Sequence, residues 1–293
     1  MSTVGAGERE GDASDGFVVA VKPRWLVVNL FGAHVLNRPV LLYSGSVIEV
    51  LAGMGVAEQA TRSTLSRLVK SGVLTRRRQG QRVYFGLTAP ATSVMTLGER
   101  RLRGHDLLEV DWDGRWTIVT ASLPDSWQNE RHHLRSRLRF GGFGQLQSGV
   151  WIAPRAAPVE SIVGELDLGD RLTWFTGELG SVDATERLLA QAYDLDEIAG
   201  GYRAFLDRWD RKDPVSDAPN VLVRRVVLHS EWLDLVRGDP RLPVELLPRD
   251  WPLARAVKVF NDLDRRMQGP ADRLAETTFD TIPRPDADPP DVR

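Results

Sequence analysis

The feature that most constrains this chain is a basic, amphipathic helical pattern followed at once by a basic hairpin, within residues 56–87. On a helical wheel, one side of residues 57–71 collects Ala57, Thr61, Leu65, Leu68 and Val69. A stripe of this kind predicts a helix that packs one face against a core. Gly72 follows the pattern and predicts where the helix ends.

The opposite side of this predicted helix is polar and basic. It carries Gln59, Arg62, Ser63, Ser66, Arg67 and Lys70. Glutamine, arginine and serine can pair with base edges, while lysine and arginine also neutralise phosphates. Because residues early in a recognition helix usually reach the bases, we assign the first four to base reading and the last two mainly to phosphate. An ordinary solvated helix face is the alternative interpretation.

The hairpin that follows makes DNA binding the better interpretation. Four arginines surround one glycine-containing turn at Gly80, and Val83, Phe85 and Leu87 then alternate as in a half-buried strand. The arginines are Arg76, Arg77, Arg78 and Arg82. They repel one another unless a polyanion is near. Helix and hairpin together predict a winged helix-turn-helix.

Charge is distributed unevenly along the chain. Residues 24–105 contain twelve basic and three acidic side chains, so this segment carries +9 and the remainder −11, although the whole chain carries only −2. A basic module on an acidic body favours DNA contact at one face. The same charge distribution argues against non-specific binding to polyanions.

Composition excludes several other classes of protein. A chain of 293 residues with 42% hydrophobic content can fill two or three cores. No apolar run approaches the ~20 residues of a membrane span, and the first fifteen residues do not resemble a signal peptide. We therefore expect a cytoplasmic protein without a membrane partner. Zero cysteines exclude disulfides, and the scattered histidines and carboxylates form no metal or catalytic motif, so we expect no metal, no cofactor and no enzymatic activity.

Elements along the chain predict an α+β protein of several domains. We expect a disordered arm at 1–22, the winged-helix domain at 23–105, a central domain at 106–180, a mainly helical domain at 181–270 and a disordered tail at 271–293. The central segment reads as strand, helix, strand, strand, helix, strand. That order predicts a ferredoxin-like βαββαβ domain.

Five blocks of this sequence form a specific pattern, namely residues 55–74 (GVAEQATRSTLSRLVKSGVL), 84–88 (YFGLT), 113–116 (DGRW), 139–155 (RFGGFGQLQSGVWIAPR) and 229–251 with its Leu-Pro elements. In these blocks, taken in order, the chain resembles the PaaX family, the repressors of phenylacetic-acid degradation operons. The resemblance implies an N-terminal winged helix, a central domain similar to the nuclease Cas2 and a helical C-terminal domain. It also implies a homodimer on a partly palindromic double-stranded DNA operator, and phenylacetyl-CoA as effector.

The chain also departs from this family's pattern. Ala57 stands where family members have serine or threonine, so it cannot cap the following helix by its side chain. Residues 89–95 are neutral where the family carries a basic stretch. Arg24, Arg139 and Arg155 are candidate partners for DNA phosphates or for the small-molecule effector. Ordinary salt bridges would explain the presence of these arginines about as well.

We therefore predict a sequence-specific transcriptional regulator, a repressor of an aromatic catabolic operon that an acyl-CoA effector releases from DNA. One alternative is a CoA-ester-binding enzyme with an accessory winged-helix module, although no nucleophile or base motif is visible. Another is a non-specific architectural DNA binder, for which the acidic body and the net charge of −2 are unfavourable.

Overall fold

A computed structural model describes residues 21–36, 38–102, 112–164, 166, 168–179 and 182–284. Within these ranges the chain forms ten α-helices and two four-stranded antiparallel sheets. The predicted mixture of helices and sheets is therefore confirmed.

The N-terminal module contains four helices and three strands. They are α1 (Pro23–His34), β1 (Val40–Tyr43), α2 (Ser44–Ala52), α3 (Glu58–Lys70), β2 (Leu74–Gln79), β3 (Arg82–Leu87) and α4 (Ala89–Leu102). The sequence did not predict β1, and the neutral residues 89–95 form the first half of α4. The side chain of Thr88 caps the N-terminus of that helix, because its Oγ1 accepts a hydrogen bond from the backbone N–H of Ala91 at 3.3 Å.

The central unit has the predicted order of elements. It comprises β4 (Arg115–Ala121), α5 (Gln128–Phe140), β5 (Gly144–Gln147), β6 (Val150–Ala153), α6 (Val159–Val163), a 3₁₀ turn (Gly169–Arg171) and β7 (Leu172–Glu178). The strands lie in the order β5-β6-β4-β7, all antiparallel, so β4 and β6 are central and β7 is at an edge. Leu134 and Leu138 of α5, four residues apart on one side of the helix, are buried in the core beneath this sheet.

The C-terminal part is mainly helical. It comprises α7 (Val182–Ala192), α8 (Leu195–Trp209), α9 (Val221–Gly238), a 3₁₀ turn (Val244–Leu246), α10 (Leu253–Thr278) and the short strand β8 (Thr281–Pro283). Asp194 and Asn220 cap α8 and α9, because their side-chain oxygens accept hydrogen bonds from backbone N–H groups at 2.9 and 3.0 Å.

The expected disordered tail at 271–293 is wrong for residues 271–284. Helix α10 continues through Pro270 to Thr278, and β8 then pairs with β1, with Leu41 opposite Ile282. The pairing joins residues more than 200 positions apart, and no local pattern shows it. Residues 285–293, and residues 1–20 of the expected arm, lie outside the described part of the chain.

The N-terminal module and the C-terminal helices share one hydrophobic core. Leu26, Leu30 and Phe31 of α1 are in the same buried cluster as Trp232 of α9 and Phe260 of α10. A buried hydrogen bond also joins them, donated by Asn29 Nδ2 to Ser230 Oγ at 2.8 Å. The two predicted domains are thus one packed unit, which fixes the orientation of the N-terminal module.

A cluster of ionisable side chains lies at the same junction. Arg225 and His229 of α9 contact one carboxylate oxygen of Asp264 on α10, at 2.8 and 2.7 Å. His34 of α1 is 2% exposed, and neither of its ring nitrogens has a hydrogen-bond partner among the described residues. Asp272 is 4.0 Å from His34 Nδ1, too far for a hydrogen bond. Burial, reinforced by the charges of Arg225, Arg38 and His229, lowers the pKa of His34 to about 3.

This buried histidine predicts a pH-dependent stability. Because the unfolded chain binds a proton on His34 below pH ~6.5 and the folded chain does not, the free energy of unfolding should fall as pH decreases from about 6.5 towards 3. The expected slope is about 1.4 kcal/mol per pH unit. Urea unfolding of wild type and of His34→Phe at several pH values between 7.5 and 5 measures this slope. The two proteins should differ in slope below pH 6.5, and equal slopes would contradict a buried, neutral histidine.

Candidate nucleic-acid interface

Helix α3 presents the predicted polar face to solvent. All six polar candidates are exposed, namely Gln59, Arg62, Ser63, Ser66, Arg67 and Lys70. The buried side is formed by Thr61, Thr64, Leu65 and Leu68. Ala57, predicted on the buried side, is instead exposed because it precedes the helix as its N-cap.

The N-terminus of α3 lacks a side-chain cap. The cap residue is Ala57, with φ −59° and ψ 146°, and no side chain bonds to the free N–H groups of the first turn. Glu58 at the first helical position adds a favourable charge there. These N–H groups are therefore available to solvent or to an anion.

Ala57→Ser should stabilise the protein by about 1 kcal/mol, since a serine at this backbone conformation can accept a hydrogen bond from the second or third helical N–H. Urea unfolding of both proteins measures the difference. Ala52→Ser, at an exposed position inside α2, is the control and should not stabilise. If Ala57→Ser were no more stable than wild type, the cap assignment would be wrong.

The hairpin after α3 projects its arginines into solvent. Strands β2 and β3 are joined by the two-residue loop Gly80-Gln81, in which Gly80 adopts φ 60°, a value that glycine tolerates. Thr88 Oγ1 donates a hydrogen bond to the carbonyl of Gly72 at 2.6 Å and so ties the end of the hairpin to the end of α3. The hairpin and the helix consequently hold a fixed relation.

The register divides the arginines between two faces of the hairpin. Arg76 and Arg78 stand opposite Phe85 and Val83, on the face that continues the core side. Arg77 stands opposite Tyr84 on the other face. Arg82 lies on that second face, so both faces of the hairpin carry two arginines.

The basic candidates differ in whether they already have a partner. Arg62 pairs with Glu58 at 2.7 Å, Arg67 donates to Thr64 Oγ1 at 3.3 Å, and Arg78 donates to the carbonyl of Gly80 at 3.0 Å. Arg82 forms an ion pair with Asp280 and lies 5.1 Å from the ring centre of Tyr43. Within the described ranges no ion pair or side-chain hydrogen bond engages Lys70, Arg76 or Arg77.

The contact between Arg82 and Asp280 could not be inferred from sequence. Asp280 lies between α10 and β8, in the segment expected to be disordered, and Tyr84 donates a hydrogen bond to the same carboxylate at 3.3 Å. Hydrogen bonding to Tyr84 and the charge of Asp280 raise the pKa of Arg82. Arg82 is thus partly neutralised before any anion arrives.

The three effector candidates lie on different elements of the fold. Arg139 is exposed on α5 and lines a cavity beside the central sheet. Arg155 is half-buried behind it and donates to the carbonyl of Pro240 at 2.8 Å, while burial lowers its pKa. Arg24 lies on α1, 5.6 Å from the ring centre of Trp25.

Family models match three successive parts of this chain. Residues 22–91 match a PaaX-like protein, residues 109–189 the central Cas2-like domain of PaaX protein, and residues 193–277 the C-terminal domain of PaaX-like protein. The chain belongs to the PaaX family. The resemblance read from the sequence blocks is therefore confirmed, as is the Cas2-like nature of the central domain.

Two individual proteins resemble this PaaX-family chain over most of its length. The transcriptional repressor PaaX of Escherichia coli (strain K12) is 24% identical over 283 residues, which cover 91% of this chain and 88% of that relative. The solved structure of the uncharacterized protein Rv0674 from Mycobacterium tuberculosis has a TM-score of 0.57 and 24% identity, and the match covers 86% of this chain and 98% of that chain. The second likeness bears on the fold alone.

Among the described residues no helix combines the length and the apolar character of a membrane span. In the same part of this PaaX-family chain, no three histidine or acidic side chains are grouped as a metal site requires.

Proposed function

We propose that this PaaX-family protein is a sequence-specific DNA-binding transcriptional repressor, and that its N-terminal module is a winged helix-turn-helix. The observation that carries the proposal is the exposed polar face of α3 beside a hairpin whose Arg76 and Arg77 have no ion pair or side-chain hydrogen bond to any described residue. Helix α3 is the recognition helix, with Gln59, Arg62 and Ser63 near its N-terminus towards the bases. The repressor name of the Escherichia coli relative supports this function.

We assign the phosphate contacts to the basic side chains that have no partner among the described residues. Lys70 lies in the last turn of α3, and Arg76 and Arg77 extend from the hairpin, so they can reach the DNA backbone on either side of the recognition helix. Arg82 must exchange Asp280 for a phosphate. Arg62 must turn from Glu58 towards a base, which costs little because both side chains are about 60% exposed.

We propose that the protein binds its operator as a homodimer. Two copies would present two recognition helices to half-sites of matching spacing. The central domain is the proposed contact surface between the two copies. Its strand β7 is an edge strand of the sheet, and there Trp174 and Phe175 are 38% and 56% exposed. An antiparallel strand from a second copy fits such an edge.

An acyl-CoA, phenylacetyl-CoA by family resemblance, is proposed as the effector that releases the protein from DNA. It would do so by favouring an arrangement of the two modules that no longer matches the operator. An enzyme acting on such thioesters is the rival proposal, and turnover of phenylacetyl-CoA by the purified protein would support it.

The experiment compares Arg62→Ala and Arg77→Ala for binding to labelled duplexes from the intergenic DNA beside the gene and to scrambled duplexes. Loss of a base contact in Arg62→Ala should reduce the ratio of the affinities for the specific and scrambled duplexes by about 5–150-fold, equivalent to 1–3 kcal/mol. Loss of a phosphate contact in Arg77→Ala should weaken both duplexes alike and reduce the salt slope by about 1.

Arg203→Ala is the matched control for these variants, because Arg203 is exposed on α8, outside the N-terminal module. It should bind like wild type. Wild-type binding that is equal for all duplexes would support the architectural binder instead. Unchanged binding in both test variants would show that α3 and the hairpin are not the DNA-binding surface.

A further inference from the structure

The tip of the hairpin meets a carboxylate from the far end of the chain. Arg82 is the first residue of β3, and its guanidinium forms an ion pair with Asp280, which lies between α10 and β8. The ring centre of Tyr43 is 5.1 Å from the same guanidinium. Within the described ranges, none of the other three hairpin arginines has an ion pair. One particular cation of the proposed DNA-binding surface is therefore already occupied by a side chain of the protein itself.

The backbone of Asp280 is held on both sides. Its N–H donates a hydrogen bond to Oγ of Ser46 at 3.2 Å, and its carbonyl accepts one from the backbone N–H of Tyr43 at 2.8 Å. Its carboxylate accepts a further hydrogen bond from the hydroxyl of Tyr84 at 3.3 Å. Asp280 therefore stays beside the hairpin tip whether or not Arg82 contacts it.

Packing between the strands keeps the hairpin and the C-terminal strand together. Strand β1 lies between β3 and β8, and Leu41, Tyr84 and Ile282, one from each of these strands, form a small buried cluster. The Arg82 side chain is 59% exposed and can turn towards DNA, whereas the Asp280 side chain is only 35% exposed. DNA binding can consequently move the arginine but not the carboxylate.

A phosphate that binds Arg82 has to compete with this carboxylate. Because the side chain of Arg82 can move only by its own length, the phosphate would lie within one Debye length of Asp280, ~8 Å in physiological salt. The carboxylate, left without its cation beside a polyanion, then attracts a salt cation, and this uptake offsets the counterion that Arg82 releases from DNA. The phosphate contact of Arg82 should therefore contribute less to binding than that of an arginine without an acidic partner.

We propose that Asp280 limits the affinity of this protein for DNA by holding Arg82. The inference rests on the proposed DNA-binding function. Because the competition concerns a phosphate contact, Asp280 lowers the affinity for every duplex alike and leaves the sequence preference unchanged. A purely structural role for the ion pair, which fastens β8 to the hairpin, predicts instead that its loss lowers stability without any gain in affinity.

The experiment measures the binding of labelled specific and scrambled duplexes at several salt concentrations. Asp280→Asn keeps the size of the side chain and an acceptor for Tyr84. It should bind both duplexes at least about threefold more tightly than wild type, with a salt slope steeper by about 1. Near-UV circular dichroism checks the fold, and Asp280→Ser, with the same expected gain, is the second variant should Asp280→Asn lose its fold.

Glu276→Gln is the matched control, because it removes the same charge from an exposed position on α10. It should change affinity less than about twofold, since it lies one helical turn from Asp280 and Arg82 has no contact with it. An equal gain in Glu276→Gln would show a general effect of net charge and would overturn the proposal. A folded Asp280→Asn that binds like wild type would overturn it as well.

A double-mutant cycle shows whether Asp280 acts through Arg82. In an Arg82→Ala background, the gain from Asp280→Asn should fall below about twofold, because no guanidinium remains to be released. The same gain in both backgrounds would contradict the proposal while leaving the DNA-binding function in place. Wild type that binds no duplex would refute the DNA-binding function and this inference with it.

Discussion

Trp232→Ala should lower the free energy of unfolding by about 3–5 kcal/mol, the usual cost of deleting a large buried aromatic side chain. Trp232 is fully buried on α9, stacks on Phe260 at 4.8 Å between ring centres, and also contacts the rings of Tyr202 and Phe205. Its removal leaves a cavity that this rigid aromatic cluster cannot easily close.

The same substitution tests whether the N-terminal module and the C-terminal helices unfold together. Since both contribute to one core, hydrogen exchange of α1, α3 and the hairpin should accelerate along with that of α9 and α10. Val244→Ala, which shortens an exposed side chain in the 3₁₀ turn before α10, is the control and should leave stability nearly unchanged. Protection of the N-terminal module that persists in Trp232→Ala would show that it folds as a separate domain.

Asp264→Ala should destabilise the protein by about 3 kcal/mol, because it leaves Arg225 buried without its nearest anion. The Arg225 side chain is only 8% exposed, and its other acidic neighbour, Asp272, is 3.9 Å away. Burial alone would raise the pKa of Asp264, but the hydrogen bond from His229 and the charge of Arg225 hold it well below its usual range. The carboxylate therefore stabilises the fold above pH ~4, and its contribution is lost as pH falls further.

Asp262→Ala is the matched control on the same helix. Asp262 pairs with Lys258 and Arg265, whose side chains are largely exposed, so solvent replaces the lost contacts. Urea unfolding at pH 7 compares the two variants. If Asp264→Ala were no less stable than Asp262→Ala, the buried cluster would not hold α1, α9 and α10 together.

The elements with a regular local pattern were predictable from sequence. The stripe of Thr61, Leu65 and Leu68 predicted α3, and the predicted C-terminal end differs from the observed end by one residue. This was possible because a 3.6-residue period is a property of the helix itself. The turn at Gly80 and the alternation after it gave the hairpin. The order of elements in the central sheet followed from short β-branched runs separated by glycine and proline.

The contacts that depend on distant segments were not predictable. Strand β8 has three residues, one of them Pro283, and becomes a strand only because β1 offers a free edge. Pro270 predicts a helix end, yet α10 continues through it, with Ala271 and Ala275 packed in the interior. For the same reason the partner of Arg82 was missed, since Asp280 is 198 residues away.

These long-range contacts alter the interpretation of the interface. The sequence assigned equal roles to four hairpin arginines, whereas in the described part of the chain Arg76 and Arg77 have no partner and Arg82 pairs with Asp280. The assignments to bases and phosphates remain predictions. We now rank the arginines as candidates for DNA contact by whether each one already has an acidic partner.

The measurement that tests the central claim most directly is a titration of the wild-type protein against a labelled duplex from the intergenic DNA beside its gene, at several salt concentrations. We predict preferential binding of two chains per specific duplex, with an affinity that falls steeply as salt increases because several lysine and arginine side chains displace counterions. A protein that remains monomeric and binds neither this duplex nor any other at low salt would contradict the account.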